Sequence, residues 1–576
     1  MRVFRYNRLV FPILLSCVAA CAPRAISPTL TDAPAPSPSA TEMEPAHSPD
    51  AILHNGIVLT MNKLQPRAQA IAIEGGRILA VGTNDEILAL RDSSTLVVDL
   101  QGKTVTPGFI DSHQHRIGNR MGGGYEEPGP IIQLAVEQGW TSLNEMFVHE
   151  QRLNELRSLD EAGKLRLRIN AYLGLHSPEG DTYGNWYQAY RSRFEYSPFL
   201  RLIGVKLFMD HGWGKGELIW TQEEVDQMVL EAHRLNWQIA IHTVGEPAHT
   251  MALNALETAL GGAADDRYRH RIEHVVVVSD NDIQRMKRLG IIASIQLNGP
   301  GTWVDYPDFD PQVTPDMYPH VARWRDLVEA GVFVVGSSDW PWGTLEQGFG
   351  SPMLMLYQAV TRTGTNRRPP EAWMLGQALT MEQALRSLTI NGAYATFEED
   401  RKGSLESGKL ADIVILTENP LASPLEEVPD IQVLMTMIGG KVEYCAVGQE
   451  SLCPGIRAGT RGPSPVTESP LTAPFTGTWQ GTDPFDSSII TLSLVQSETE
   501  LAGTYKDTFS PGVQPPGYEG SGVGKVLAIT TAGMTFELVR WDGNTVQAQY
   551  SLTLSDQNST LTLCCDVGTP IVLQRQ

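Results

Sequence analysis

Between residues 105 and 340 the chain repeats one pattern eight times: a short run dense in Val, Ile, Leu and Ala, usually followed by a stretch with helical spacing. The runs are VTPGFIDSHQH, WTSLNEMF, LRINAYLGL, IGVKLFMD, QIAIHTVG, HRIEHVVVV, IIASIQLN and VFVVGSSDW. A strand that is apolar on both faces belongs inside a layered fold. Intervening helices such as EEVDQMVLEAHRLN and DNDIQRMKRLG make such strands parallel. Eight strand–helix units are what a (β/α)8 barrel requires. The pattern predicts an α/β chain with a TIM-like barrel over residues 108–397.

The flanks read differently. Residues 51–107 hold short alternating runs broken by Asn-Gly and Gly-Gly, the mark of a small antiparallel sheet, and a similar pattern returns over 398–446. Together they predict one composite β-sandwich built from both flanks. MEQALRSLTINGAYATF reads as a further helix leading back to it. Residues 447–473 are rich in Pro, Gly, Ser and Thr and read as a linker. Residues 474–576 form a separate C-terminal all-β module, a small barrel or sandwich without a catalytic constellation.

At the N-terminus Arg2, Arg5 and Arg8 precede LVFPILLSCVAA, an apolar run too short to span a bilayer. It ends in Val18-Ala19-Ala20-Cys21, which resembles a bacterial lipobox. Residues 1–21 are therefore expected to be a lipoprotein signal peptide, with Cys21 lipidated and residues 22–50 a Pro/Ser-rich tether. The expected location is the cell envelope, membrane-anchored on the extracytoplasmic side. Cys445, Cys453, Cys564 and Cys565 would then meet an oxidising compartment. Cys445 and Cys453 lie near enough to close a small loop, although spacing does not settle the pairing. With 44 basic against 66 acidic residues the net charge is −22, which argues against nucleic acid as a partner. Nothing in the pattern sets the oligomeric state.

In such a barrel, chemistry gathers where the strands end. The first run ends Asp111-Ser112-His113-Gln114-His115. Histidines one residue apart on a strand share a face, so both imidazoles can converge. The fourth run carries Lys206, the fifth His242, the sixth Arg271-Ile272-Glu273-His274, and the eighth ends in Asp339. Each alone has an ordinary reading: a packed histidine pair, a lysine balancing a carboxylate, an aspartate capping a helix. Five runs delivering such groups to one rim favour a shared divalent metal. Glu145, ending the second run, is an alternative bridging ligand to Lys206. His176, His211 and Trp340, with Trp213, lie near the expected mouth and are candidates for holding a small-molecule substrate, with simple packing the competing reading.

These motifs resemble the amidohydrolase superfamily. VTPGFIDSHQH is similar to its strand-1 signature, and NGAYATFEEDRKGSLESGKLADIVIL to its return into the composite β domain. RHRIEHV, IIASIQLN and GSSDWP point to amidohydrolase family 3, the branch that includes N-substituted formamide deformylase. The resemblance runs from residue 51 to about 445. It implies His113 and His115 on a first ion, His242 and His274 on a second, and a carboxylated Lys206 bridging the two. Asp339 would ligate metal or lie beside it and accept the proton of the attacking water. It implies zinc, one or two ions per chain, and hydrolysis of a non-peptide C–N bond in an amide, formamide or cyclic amide. A mononuclear deaminase and a catalytically inactive, surface-anchored binding lipoprotein are the alternatives. The chain departs from the branch in three places. His242-Thr243-Val244-Gly245-Glu246 replaces the usual His-x-x-Gly-Asp, the strand-4 loop reads DHGWGKGE, and the stretch after His115 is short. These departures bear on the substrate more than on the metal.

Overall fold

The computed structural model describes residues 48–453, except 116, 118–127, 178–179, 181, 211–216, 299–316, 341–349, 364–369 and 371, together with the backbone of eight strands between 477 and 575. Cys21, the tether, His211 and Trp213 lie outside the described residues.

Each of the eight predicted runs coincides with one barrel strand: β1 (Phe109–Gln114), β2 (Trp140–Val148), β3 (Arg168–Gly174), β4 (Leu200–Phe208), β5 (Gln238–Thr243), β6 (Arg271–His274), β7 (Ile292–Gln296) and β8 (Val334–Ser337), with β2 ending just after its run and β4 starting before its own. Each pairs in parallel with the next. Every residue of β2 and β4 is buried, which is why these runs show no polar alternation. Two backbone bonds join the ends. The Asp339 N–H donates to the His113 carbonyl at 2.9 Å, and the His115 N–H donates to the Trp340 carbonyl at 2.8 Å.

The helices that separate the strands are locally specified. Gln222–Arg234 starts at Thr221, whose side chain accepts from the Glu224 N–H while Glu224 reaches back, and it buries Val225, Val229 and Ala232. Asp280–Leu289 starts at the Ser279 cap, ends at Gly290 with φ 65°, and buries Ile283, Met286 and Leu289. Each such large aliphatic side chain contributes about 1.5–3 kcal/mol on burial. The single helix expected over residues 381–397 is two, Met381–Ser387 and Ile390–Ala395. Thr389 leaves helical space at φ −134° and ψ −101°, and its hydroxyl bonds the Leu385 carbonyl at 2.7 Å. The second piece then lies so close to β1 that a Cβ on Gly392 would sit 2.9 Å from Ile110 Cβ.

The flanks do combine, but as two sheets. One runs Arg77–Gly82, Ala70–Glu74, Ala51–His54, Leu96–Asp99. The other runs Lys441–Cys445, Val433–Ile438, Ile413–Leu416, Thr104–Pro107, Ile57–Leu59, Arg67–Ala68. In the second, Val105 of the N-terminal flank pairs with Ile415 on one side and Val58 on the other. Leu53, Val58, Ile71, Val98, Val105, Ile413, Ile415, Met435 and Met437 share one core. The purely antiparallel sheet expected from the N-terminal flank is corrected. Ala51–His54 pairs in parallel with Leu96–Asp99, and Ile57–Leu59 with Thr104–Pro107. Long connections, one containing the helix Asn84–Leu88, separate these partners, and parallel pairing needs such a crossover. Cys445 and Cys453 form a disulfide just after the last sandwich strand begins to leave the sheet.

The eight C-terminal strands close into a barrel, each antiparallel to its neighbour in chain order. Among the described residues, no helix is long and apolar enough to cross a membrane.

Candidate metal centre

Four of the predicted histidines and Asp339 meet at the C-terminal ends of β1, β5, β6 and β8. His113 Nε2 lies 3.3 Å from His115 Nε2 and 3.4 Å from Asp339 Oδ1. His115 Nε2 lies 3.5 Å from the same oxygen, so three donor atoms form a nearly equilateral triangle. His274 joins from the other side, its ring 4.8 Å from the His113 ring, centre to centre. Donor atoms of His113, His274 and Asp339 all fall within 4.8 Å of one another. The His242 ring lies 4.3 Å from the His274 ring, centre to centre. Lys206 Nζ is fully buried and lies 4.9 Å from the centre of the Phe208 ring, which is itself 5.2 Å from the His242 ring.

The outward nitrogens are held by the protein, which leaves the inward ones for a ligand. His113 Nδ1 lies 2.6 Å from Glu273 Oε2, His115 Nδ1 donates to the Met146 carbonyl at 3.0 Å, and His274 Nδ1 donates to Gln296 Oε1 at 2.9 Å. An imidazole that donates from Nδ1 carries a bare lone pair on Nε2 when neutral. Burial pushes His113 and His242 well below the usual imidazole value, and it also lowers His274. Burial pulls the Lys206 ammonium down to about 8. Burial opposes charge on Asp339, but His113, His115 and His274 outweigh it and hold the carboxyl at about 2. At neutral pH His113, His242 and His274 are therefore neutral imidazoles, beside the Asp339 carboxylate and a Lys206 amine that is still largely protonated.

Lys206 Nζ, His242 Nε2, His274 Nε2 and Asp339 Oδ1 are buried without a hydrogen-bond partner. Buried polar atoms are nearly always paired, so the bare acceptors among them, the imidazole nitrogens and Asp339 Oδ1, call for a cation, whereas the Lys206 amine suits one only after losing its proton. The donor set of imidazole nitrogen and carboxylate oxygen fits a divalent metal.

Backbone strain helps to aim these groups. His274 has φ 76° and Asp339 φ 51°, the left-handed region that side-chain-bearing residues seldom adopt. Asp111 anchors the second of these turns: its Oδ1 accepts the Ser338 N–H at 2.9 Å and its Oδ2 accepts the Ser338 hydroxyl at 2.5 Å.

The other candidates sit apart from the cluster or are engaged elsewhere. His176 Nδ1 donates to the Ser177 carbonyl at 2.8 Å, and its Nε2 accepts the Phe208 N–H at 3.2 Å. Burial lowers its pKa to about 4, which keeps it a neutral strut between β3 and β4. Trp340 follows Asp339 and is buried at the barrel seam. Glu145 accepts from Gln114 Nε2 at 2.6 Å and from the Ile117 N–H at 3.0 Å. Glu246 is exposed and opens the helix Glu246–Ala259.

Several residues not singled out from the sequence complete the centre. Arg271 grips Glu273 through Nε at 2.6 Å and Nη2 at 2.9 Å, and also bonds the Ser112 carbonyl at 2.7 Å. Asp210, just beyond β4, accepts the Gly245 N–H at 2.8 Å and faces His242. Strand alternation was the available signal: Arg271 and Glu273 share a face, as do Lys206, Phe208 and Asp210.

Residues 135–444, more than half of the chain, match the profile of amidohydrolase family 3, described as "Amidohydrolase family". The chain belongs to the amidohydrolase family. Among its relatives, this amidohydrolase is 23% identical over 552 residues to Protein LONG AFTER FAR-RED 3 of Arabidopsis thaliana, covering 69% of this chain and 91% of that one. It is 27% identical over 327 residues to the N-substituted formamide deformylase of Arthrobacter pascens, covering 54% and 58% respectively. In fold it is similar to an uncharacterized metal-dependent hydrolase from Pyrococcus horikoshii OT3, with TM-score 0.55, 21% identity, and coverage of 65% of this chain and 99% of the other.

Proposed function

We propose that this amidohydrolase holds two zinc ions and hydrolyses a non-peptide C–N bond of a small molecule, in an amide, formamide or cyclic amide. The observation that carries the reading is the convergence of His113, His115, His274 and Asp339, with four buried donor and acceptor atoms left without partners. His113 and His115 would hold one ion, His242 and His274 the other, with Lys206 and Asp339 between them. When bound, a divalent cation polarises a carbonyl and makes water a nucleophile at neutral pH. Asp339 is ionised near neutrality and takes a proton at Oδ1 or Oδ2, then returns it to the leaving nitrogen. Lys206, with its ammonium lowered to about 8, has an unprotonated fraction at pH 7 that can take up carbon dioxide and become an anionic donor. Similarity to the Arthrobacter pascens deformylase supports a formamide among the substrates to try. We further propose that the chain is exported and anchored in the envelope through a lipidated Cys21, with the tether giving reach.

The test is a metal count on the purified protein, an amide and formamide panel, and Asp339→Asn. Two ions per chain, turnover of a panel member, and a loss of about 100- to 10,000-fold in kcat for Asp339→Asn are expected. One ion with turnover of an amino-substituted ring favours a mononuclear deaminase. Bound metal with no turnover favours a binding protein, and protein without stoichiometric metal ends all of the enzyme readings.

A further inference from the structure

We propose that Asp210 is a direct ligand of the second ion, shared with His242. The inference rests on the two-ion reading above and adds a ligand to it. Asp210 follows β4 by two residues, and Lys206, Phe208 and Asp210 alternate onto one face of that strand. The strand geometry persists to this point, because the Met209 N–H still donates to the His242 carbonyl at 3.2 Å. The Asp210 carboxylate is buried, and its Oδ1 lies 3.5 Å from His242 Nε2. That separation is long for an N–H···O bond, and His242 Nε2 has no hydrogen-bond partner. It is instead the spacing of two donors on one ion: bonds of 2.0–2.2 Å at a tetrahedral angle place donors about 3.4 Å apart. The same spacing recurs among His113, His115 and Asp339, at 3.3, 3.4 and 3.5 Å.

Backbone amides fix which oxygen faces the imidazole. Oδ2 accepts the Gly245 N–H at 2.8 Å and the Val244 N–H at 3.1 Å, while Oδ1, on the His242 side, receives the longer Val244 contact at 3.2 Å. Both amides belong to the turn that follows His242, so one turn positions the histidine and the carboxylate together. Charge argues the same way. A buried dication favours anionic donors beside its neutral imidazoles, and the Asp210 carboxylate supplies one.

The experiment compares the full-length protein with Asp210→Asn and Asp210→Glu after loading with cobalt(II) and dialysis against a graded chelator. Metal content and the visible cobalt bands are followed together. Asn keeps an oxygen for the Gly245 amide but removes the charge, and Glu keeps the charge. The expected result is two ions on the parent, one on Asp210→Asn with more than about 100-fold weaker retention of the second, and partial recovery with altered bands in Asp210→Glu. A residue that only orients a ligand moves metal affinity by about 10- to 100-fold and would leave both bands in place. Equal chelator resistance in parent and Asp210→Asn overturns the proposal, as does a parent that holds a single ion. A parent that holds no metal at all sinks the metal-centre reading itself, a separate outcome. If Asp210→Asn melts early, Asp210→Glu decides alone: unchanged bands refute a direct ligand.

Discussion

Replacing Glu273 with Gln should damage both the stability of the barrel and its hold on metal. Glu273 is buried and accepts three strong bonds: from Arg271 Nε at 2.6 Å, from Arg271 Nη2 at 2.9 Å, and from His113 Nδ1 at 2.6 Å. Gln keeps the shape but offers one oxygen and one NH2 group. If the oxygen stays with Arg271, the NH2 meets His113 Nδ1–H, and two donors face each other. His113 then relieves the clash by moving its proton to Nε2, the atom 3.4 Å from Asp339 Oδ1. Metal affinity should fall by about 10- to 100-fold, the usual cost of losing a partner that sets a ligand's tautomer. Arg271, fully buried, also loses its counter-charge, since the Ser112 carbonyl and the hydroxyls of Ser294 and Tyr172 that it also bonds are neutral. Removing one member of a buried ion pair costs about 3–5 kcal/mol. Urea unfolding of metal-free protein measures the second effect, and chelator competition on folded protein measures the first. Ser294→Ala is the control, since it removes one neutral hydrogen bond, worth about 1 kcal/mol, and leaves the His113 tautomer alone. Glu273→Gln behaving like Ser294→Ala in both assays would refute the reasoning.

Two further outcomes follow from elsewhere in the fold. Glu398 is buried; burial opposes its charge, but Lys402 at 2.8 Å and Arg201 at 2.9 Å hold its carboxyl at about 2, against 4.5 for a free glutamate. The folded pKa is the lower one, so this stabilisation, about 3 kcal/mol, is complete above pH 4.5 and is lost as pH falls toward 2. Unfolding free energies of the parent and Glu398→Gln should converge over that window, and parallel pH curves would contradict the assignment. Cys453→Ser should cost about 2–3 kcal/mol, the loop-closure entropy of a disulfide spanning a sequence separation of 8. Equal unfolding midpoints for oxidised parent and variant would show that the clasp adds nothing.

The barrel was legible because burial on both faces is written into composition. Runs such as IGVKLFMD and QIAIHTVG fit a buried parallel strand once helices separate them, and all eight overlap their strand. The sandwich was legible as a union of the flanks but not in its pairing. Ala51–His54 finds Leu96–Asp99 in parallel across more than forty residues, and no local turn signal reports such a contact. At the centre, alternation placed His113 with His115 but could not place Glu273 and His274 together, because neighbours on a strand point to opposite faces. Both do reach the centre, since His274 turns to φ 76° as the strand ends. Asp339 does the same at φ 51°. Positive φ in residues other than glycine leaves no trace in a hydropathy pattern.

That strain has a structural reason. The first and last strands of the barrel must be joined, and the seam is made by residues of the centre itself. The His113 carbonyl takes the Asp339 N–H, the Trp340 carbonyl takes the His115 N–H, and the Asp111 carboxylate takes both the Ser338 amide and hydroxyl. The turn that carries Asp339 into the left-handed region is thus the same turn that closes the barrel. Hydrogen bonds on both sides of the seam offset a local cost of about 1–3 kcal/mol per strained residue. On the proposed reading, an ion held by His113, His115 and Asp339 would span this seam. Metal binding and barrel closure would then be a single equilibrium, in which the folded ring preorganises the donors and the ion reinforces the junction that orders them.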